Sequence, residues 1–108
     1  MATGHEPQEI DGVMCVWLQA VGWHPAVQAD ELGMGDIVVY NYGNTGEVLS
    51  IVKRTAKQIV LWVLTSSGTE YKVRYGRETW KPTKGAARAY EQAKEQARLV
   101  GMAEVLAS

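Results

Sequence analysis

The chain of 108 residues predicts one domain, large enough to bury a hydrophobic core without support from a metal or a disulfide. The formal net charge of −1 conceals an asymmetry, because all eleven basic residues follow Val52 whereas seven of the twelve acidic residues precede it. A single cysteine excludes an internal disulfide, and neither an apolar run of roughly 20 residues nor a signal-peptide pattern is present, so we expect a cytoplasmic protein without a membrane span.

The N-terminal part is predicted to hold a flexible tail over 1–9 and a short helix over 10–22, within a single domain over 10–108. Val13, Val16 and Trp17 recur at helical spacing, Asp11 is a possible N-cap, and Gly22 stands where a helix often ends. The same residues include Val-Met-Cys-Val-Trp-Leu, which also suits a strand. We expect the helix, and a strand over 11–21 remains the alternative.

Residues 26–82 predict strands separated by turns rich in glycine, serine and asparagine. The expected strands span 26–29, 36–42, 47–54, 58–65 and 69–75, with a possible short strand over 79–81. The acidic turn around Gly33 and Gly35, and the strand that follows it, organise this region. We expect an α+β fold, with a small curved antiparallel β-barrel of about five strands between the short N-terminal helix and a long C-terminal one.

The strand over 58–65 and the C-terminal helix are predicted to pack together. Val60, Trp62 and Leu64 make the second face of that strand apolar, which indicates that something covers it. Thr83 is a good N-cap, and the alanine-rich sequence that follows predicts a helix over 84–107. Its stripe consists of Ala86, Tyr90, Ala93, Ala97 and Val100. We expect this stripe to cover the second face of the strand.

Basic and aromatic side chains concentrate on the predicted hairpins between 53 and 84. In the strand over 69–75, Lys72 and Arg74 alternate with Tyr71 and Val73, so the two bases should point outward. Such a mixture suits contact with a protein or with single-stranded nucleic acid. The alternative is that the bases only form ion pairs with the acids of the N-terminal half. The candidate contact residues are Lys53, Arg54, Lys57, Lys72, Arg74, Arg77, Trp80 and Lys81.

Catalytic and metal-binding patterns are lacking. His24 has no cysteine partner at zinc spacing, and the acids Asp30, Glu31 and Asp36 belong to a turn where solvated acids are common. Gly33-x-Gly35 is too short for a phosphate loop. We therefore expect no enzymatic activity, no catalytic residue, no metal and no cofactor.

One longer pattern resembles known proteins. It reads Val27-x-Ala29-x-x-Leu32-x-x-Gly35-Asp36-x-Val38, with Asn41-Tyr42-Gly43 and Gly46-Glu47-Val48-x-x-Ile51 after it. This pattern resembles the opening of Hint domains, the self-processing fold of inteins and hedgehog proteins, and small proteins encoded by actinobacterial phages. The resemblance covers 27–82 and implies a Hint-like or Src-homology-3-like barrel.

The resemblance implies the scaffold and argues against the Hint reaction. That reaction needs a Cys or Ser at the first position and a Thr-x-x-His block, but residues precede Cys15 and no histidine follows His24. We therefore expect a non-enzymatic binding module, with a host or viral protein as its partner. The alternative is a nucleic-acid-binding barrel that uses the basic 53–84 region. No membrane partner is expected, and the sequence leaves the oligomeric state open.

Overall fold

The computed structural model describes the backbone of residues 6–107 and the side chains of residues 6–102. The strands are β1 (Gln8–Ile10), β2 (Val13–Leu18), β3 (Gly22–Gln28), β4 (Ile37–Val39), β5 (Thr45–Arg54), β6 (Gln58–Thr65), β7 (Glu70–Gly76) and β8 (Trp80–Pro82), and the helix is α1 (Lys84–Ala107). A 3-10 turn, Ala29–Glu31, follows β3. The strands form two antiparallel sheets, with the orders β1-β2-β3-β8 and β4-β5-β6-β7.

The expected barrel of about five strands with an N-terminal helix is wrong. Over residues 6–107 the structure has two four-stranded sheets and no closed barrel. Val38 of β4 makes a single antiparallel bridge with Thr83, directly after β8, so the sheets meet along one pair of edges. The barrel prediction failed because it missed β1 and β2, two of the four strands of the first sheet, and the start of β3 before Pro25.

The predicted helix over 10–22 is a β-hairpin and the start of the next strand. Asp11 and Gly12 have positive φ angles of 53° and 82°, and Ile10 pairs with Val13 across them. A two-residue turn with both φ angles positive matches the right-handed twist of paired strands, and Asp-Gly is a favoured sequence for it. The residues after the turn fit both the helical and the strand periodicity. They form a strand because they pair with β1 on one side and β3 on the other.

The hydrophobic core lies against the inner face of the second sheet. β6 contributes Ile59, Leu61 and Val63, of which none is more than 1% exposed. Gly46 of β5 is needed beside them, because a Cβ there would lie 2.6 Å from Tyr40 Oη and 2.7 Å from a Val63 methyl carbon. The inner face of β6 is therefore tightly packed, which holds the opposite face of the same strand in place.

Helix α1 begins as expected but does not cover β6. Thr83 Oγ1 accepts a hydrogen bond of 3.0 Å from the Ala86 N–H, which caps the first turn. The helix then packs against β3 and β4, because it starts at the edge where β8 meets β4. Residues 91–100 are all exposed. The expectation that the helix covers Val60, Trp62 and Leu64 is therefore wrong.

The predicted flexible tail over 1–9 overlaps the first strand. Gln8 and Glu9, which fall in the predicted flexible tail, belong to β1 and pair with Cys15 and Met14 of β2. Residues 1–5 of that predicted tail lie outside the described residues. Among the described residues, no helix combines the length and the apolar character needed to cross a membrane.

Candidate functional site

The outward-pointing side of the second sheet, called the outer face below, carries the clearest cluster of candidate residues. Its three cross-strand rows are Lys53–Val60–Arg74, Ser50–Trp62–Lys72 and Glu47–Leu64–Glu70. Directly opposite residues of neighbouring antiparallel strands have Cβ atoms roughly 4.5–5.5 Å apart. The outer face is therefore a compact surface with an apolar column between two charged columns.

Charge changes sign along the outer face. Lys53, Lys72 and Arg74 surround its basic end, whereas Glu47 and Glu70 stand at the other end. All five of these charged residues are exposed, so solvent screens their charges. The face therefore presents a local dipole to an approaching molecule.

Trp62 is the centre of this face and is held in place. Its Nε1–H donates a hydrogen bond of 2.7 Å to Glu70 Oε1 on β7. The side chain is half-buried, between Ser50 and Lys72 in the cross-strand row. An anchored, partly exposed indole offers a large contact area with little entropy to lose on binding.

Alternation along β7 separates the outer face from the core, as the sequence predicts. Lys72 and Arg74 are exposed, whereas Tyr71, Val73 and Tyr75 pack against the core cluster. The hydroxyl groups of Tyr40 and Tyr71 lie 2.9 Å apart, and burial raises the pKa of both phenols to about 12. The inward aromatic residues of β7 are thus structural, and the outward bases are available for contact.

Two of the predicted contact residues instead make an internal ion-pair cluster with Asp30. Arg77 donates through Nε and Nη2 to the two Asp30 carboxylate oxygens at 2.8 and 3.1 Å. Arg54 Nη1 lies 3.3 Å from Asp30 Oδ1. Arg54 follows Lys53 directly in β5, so its side chain points to the side of the strand opposite to that of Lys53. The hydrogen bond from Arg77 lowers the pKa of the Asp30 carboxyl group. At this position the basic half of the chain pairs with the acidic half.

A polar cleft of about 860 Å³ lies beside this cluster, and Lys57 belongs to its lining. Gln28, Asp30, Arg77 and Thr79 contribute further polar groups. Because Arg77 also donates to the Thr55 carbonyl oxygen at 2.9 Å, its guanidinium is already engaged on three nitrogens. The cleft is therefore lined by groups that hold the fold together, and it is separate from the outer face.

The last two predicted contact residues are on β8, away from the outer face. Lys81 pairs with Val27 of β3, and its Nζ lies 4.2 Å from the centroid of the Tyr75 ring. Partial burial lowers the pKa of this ammonium group. Trp80 pairs with Gln28 and is half-buried. The predicted contact set is thus divided, and only Lys53, Lys72 and Arg74 come together.

Cys15 and His24, the residues considered for catalysis and metal binding, make contacts within the fold. The Cys15 thiol is 3% exposed, and burial, with a smaller contribution from Asp11, raises its pKa. The ring of His24 donates through Nδ1 to the Pro25 carbonyl oxygen at 2.8 Å. Over the stretch the structure describes, no three His, Cys, Asp or Glu side chains are grouped to hold a metal.

Sequence reasoning recognised the apolar column but not its accessibility, and it did not include the two glutamates among the contact residues. Val60, Trp62 and Leu64 were assigned to a covered face, although their alternation with Ile59, Leu61 and Val63 was visible. A hint was available in β7, whose alternating charges indicate that this side of the sheet faces water. No family model, curated protein or solved structure matches the chain. The outer face is therefore interpreted from its own geometry.

Proposed function

We propose that this chain is a non-enzymatic binding module that contacts another protein through the outer face. The observation that carries the proposal is the position of Trp62, anchored by Glu70 and uncovered by the helix, at the centre of an apolar column between charged side chains. Interfaces are typically organised in this way, with an aromatic anchor at the centre and a polar rim.

The rigidity of β6 supports this role. Its inner side chains are completely buried, and ladders with β5 and β7 flank it on both sides. A surface that does not rearrange loses little conformational entropy when a partner binds. Val60, Trp62 and Leu64 can therefore contribute their apolar area directly to binding.

The charge layout favours a protein partner over nucleic acid. Lys53, Lys72 and Arg74 around an indole suit contact with phosphates and stacking on a base, and this cluster is the observation that favours the nucleic-acid alternative. However, Glu47 and Glu70 stand in the neighbouring row and repel a polyanion that crosses the face. A protein surface with the opposite dipole, acidic beside Arg74 and basic beside Glu47, satisfies both ends.

The resemblance to small phage proteins extends the proposal to the source of the partner and to the compartment in which the two proteins meet. The partner is then a host or viral protein, met in the cytoplasm of an actinobacterial cell. Neither a cofactor nor a catalytic group takes part, because binding needs only the side chains of the outer face.

Affinity capture from actinobacterial lysate tests the proposal, with and without nuclease. The wild-type chain should retain the same protein after nuclease treatment, and Trp62→Ala should weaken its binding by about 2 kcal/mol, the size of a central aromatic contact. Leu99→Ala, at an exposed apolar side chain on the distal helix, is the control. Capture that depends on nucleic acid, or that is equally reduced by Leu99→Ala, would contradict the proposal.

A further inference from the structure

Strand β7 lies at the edge of the second sheet, so one side of its backbone pairs with β6 and the other side faces away from the sheet. Antiparallel pairs alternate between those that exchange backbone hydrogen bonds and those that do not. The Thr65 N–H donates to the Thr69 carbonyl at 2.8 Å, and at the other end the Arg77 N–H donates to the Lys57 carbonyl at 3.0 Å. The pairing between these two bonds runs without a bulge. The alternation therefore assigns the backbone groups of Tyr71, Val73 and Tyr75 to the ladder with β6.

The intervening residues point their backbone groups the other way. The N–H and C=O of Glu70, Lys72 and Arg74 face the open edge, where the described residues provide no backbone partner. All three residues are exposed. Residues two apart in a strand are about 6.8 Å apart, so the edge presents donor and acceptor pairs at the repeat of an antiparallel strand.

We propose that β7 takes up an extended acidic segment of the partner protein as an antiparallel fifth strand. The inference rests on the proposed function and names the chemistry of the partner. Main-chain hydrogen bonds to Glu70, Lys72 and Arg74 hold the segment. Its side chains alternate between polar and apolar residues, with acidic residues opposite Lys72 and Arg74 and no acidic residue opposite Glu70. This is strand addition to a sheet edge, with the charges of the edge selecting the incoming strand.

Charge decides which strand fits. Side chains directly opposite Lys72 and Arg74 lie on the outer face, where a carboxylate pairs with each base. Side chains on the other face of the segment come beside Tyr71 and Val73, where apolar residues are required. Two copies of β7 paired antiparallel around Val73 would instead place Lys72 opposite Arg74, and the resulting repulsion disfavours that register. We expect the free chain to be a monomer by solution mass, and a dimer that protects the edge amides of β7 would contradict the proposed occupant.

The backbone can be tested separately from the charge. Lys72→Pro removes one N–H from the open edge and leaves the ladder with β6 intact, since proline is tolerated on an edge whose N–H faces solvent. Lys72→Ala is the matched control, which removes the same charge and keeps the N–H. The probe is a blocked peptide of about eight residues with alternating Glu and Val, in which Ser replaces the Glu that would lie opposite Glu70. Its charge-reversed counterpart contains Lys in place of Glu.

The Glu-Val peptide should bind more tightly than the Lys-Val peptide, and Lys72→Pro should weaken binding by about fivefold relative to Lys72→Ala, the equivalent of one hydrogen bond. N-methylation of the Glu residues should abolish binding, because in the antiparallel pairing those N–H groups face β7, whereas N-methylation of the Val residues should not. Equal effects of the two methylations, or equal affinity of the two variants, would overturn strand addition even if the proline variant folded poorly.

Amide hydrogen exchange gives a readout that does not depend on affinity. In the free chain the amides of Glu70, Lys72 and Arg74 should exchange rapidly, and those of Tyr71 and Val73 slowly. The peptide should slow the first group only. If Trp62→Ala abolishes capture of the protein partner but no edge amide becomes protected, the outer face remains the contact surface and strand addition is wrong. If the edge amides become protected but capture is insensitive to Trp62→Ala, the proposed contact surface is wrong instead.

Discussion

Asp30 and Arg77 are joined through both backbone and side chains. The Asp30 N–H donates to the Arg77 carbonyl oxygen at 2.9 Å, and the Arg77 guanidinium donates to both Asp30 carboxylate oxygens at 2.8 and 3.1 Å. The pair connects the 3-10 turn after β3 to the residue that follows β7. A contact between positions 47 residues apart thus ties the first sheet to the far edge of the second.

This pair predicts an acid-sensitive stability. The folded pKa of Asp30 is lowered, chiefly by the hydrogen bond from Arg77, whereas the unfolded value is about 3.9. The contribution is therefore complete above the unfolded pKa and is lost as the pH falls through the lower folded pKa. Urea unfolding as a function of pH should show that Asp30→Asn removes part of the acid dependence. Glu31→Gln, at the exposed neighbouring acid, should not, and equal curves for both variants would contradict the prediction.

Gly46 should not tolerate a methyl group. A Cβ there would lie 2.6 Å from Tyr40 Oη and 2.7 Å from Val63 Cγ1, and the surrounding core cannot shift without strain. Gly46→Ala should lower the free energy of unfolding by about 1–3 kcal/mol. Gly33→Ala is the control, because a Cβ at Gly33 meets nothing within 4 Å. Denaturant unfolding that ranks Gly33→Ala as equally damaging would refute the packing explanation.

The tyrosine pair predicts a second pH limit, on the alkaline side. The pKa values of Tyr40 and Tyr71 are raised to about 12 in the folded chain, against about 10 in the unfolded chain. Because the folded state keeps these phenols neutral, stability should be intact below the unfolded pKa and should fall as the pH rises toward the folded one. Ultraviolet titration should detect late-ionising tyrosines, and Tyr71→Phe should remove one. Ionisation of every tyrosine near the ordinary value would contradict this.

Cys15 should be chemically inert in the folded chain. Its side chain is buried and its pKa is raised, and both effects keep the reactive thiolate scarce. A disulfide exchange reagent should therefore react slowly under native conditions and rapidly in denaturant. Mass spectrometry should also find no thiol-dependent cleavage near Cys15 on storage. Cleavage that is lost in Cys15→Ala would restore the self-processing reaction that the missing histidine argues against.

Salt dependence should distinguish the two kinds of partner at the outer face. With a protein partner, reversing Lys72 and Arg74 to Glu should mainly slow association. Binding to random single-stranded DNA should stay weak. If nucleic acid were the ligand, log K would fall with log salt by about 0.7 for each phosphate contacted, and the reversal would reduce that slope. Reversal of the exposed Arg88 and Lys94 on α1 is the control for net charge.

Local pattern predicted a large part of the second sheet and of the helix. The bounds of β6 agree with the predicted 58–65, and β7 alternates as expected between the core-facing Tyr71 and the exposed Lys72. Thr83 caps α1 as predicted. These features depend on neighbours within a few residues, so the sequence carries them directly.

The part of the first sheet before Pro25 was missed, although a local signal was present and a strand over 11–21 was the alternative. Asp11-Gly12 is a favoured turn for a two-residue hairpin, but the helical spacing of Val13, Val16 and Trp17 was given more weight. The outer face was missed for another reason. Its apolar column was correctly recognised, but the element expected to cover it packs elsewhere.

The sequence alone therefore determined where β6, β7 and α1 lie along the chain, which side chains of β7 point outward, and that acids and bases are segregated. Only the tertiary structure decided that residues 13–18 form a strand, that α1 packs on β3 and β4, and that Lys53 joins Lys72 and Arg74 while Arg54 turns toward Asp30. Periodicity reports how side chains alternate within one element. The choice of partner depends on contacts between residues far apart in the chain, and these form only when the sheets pair and the core packs.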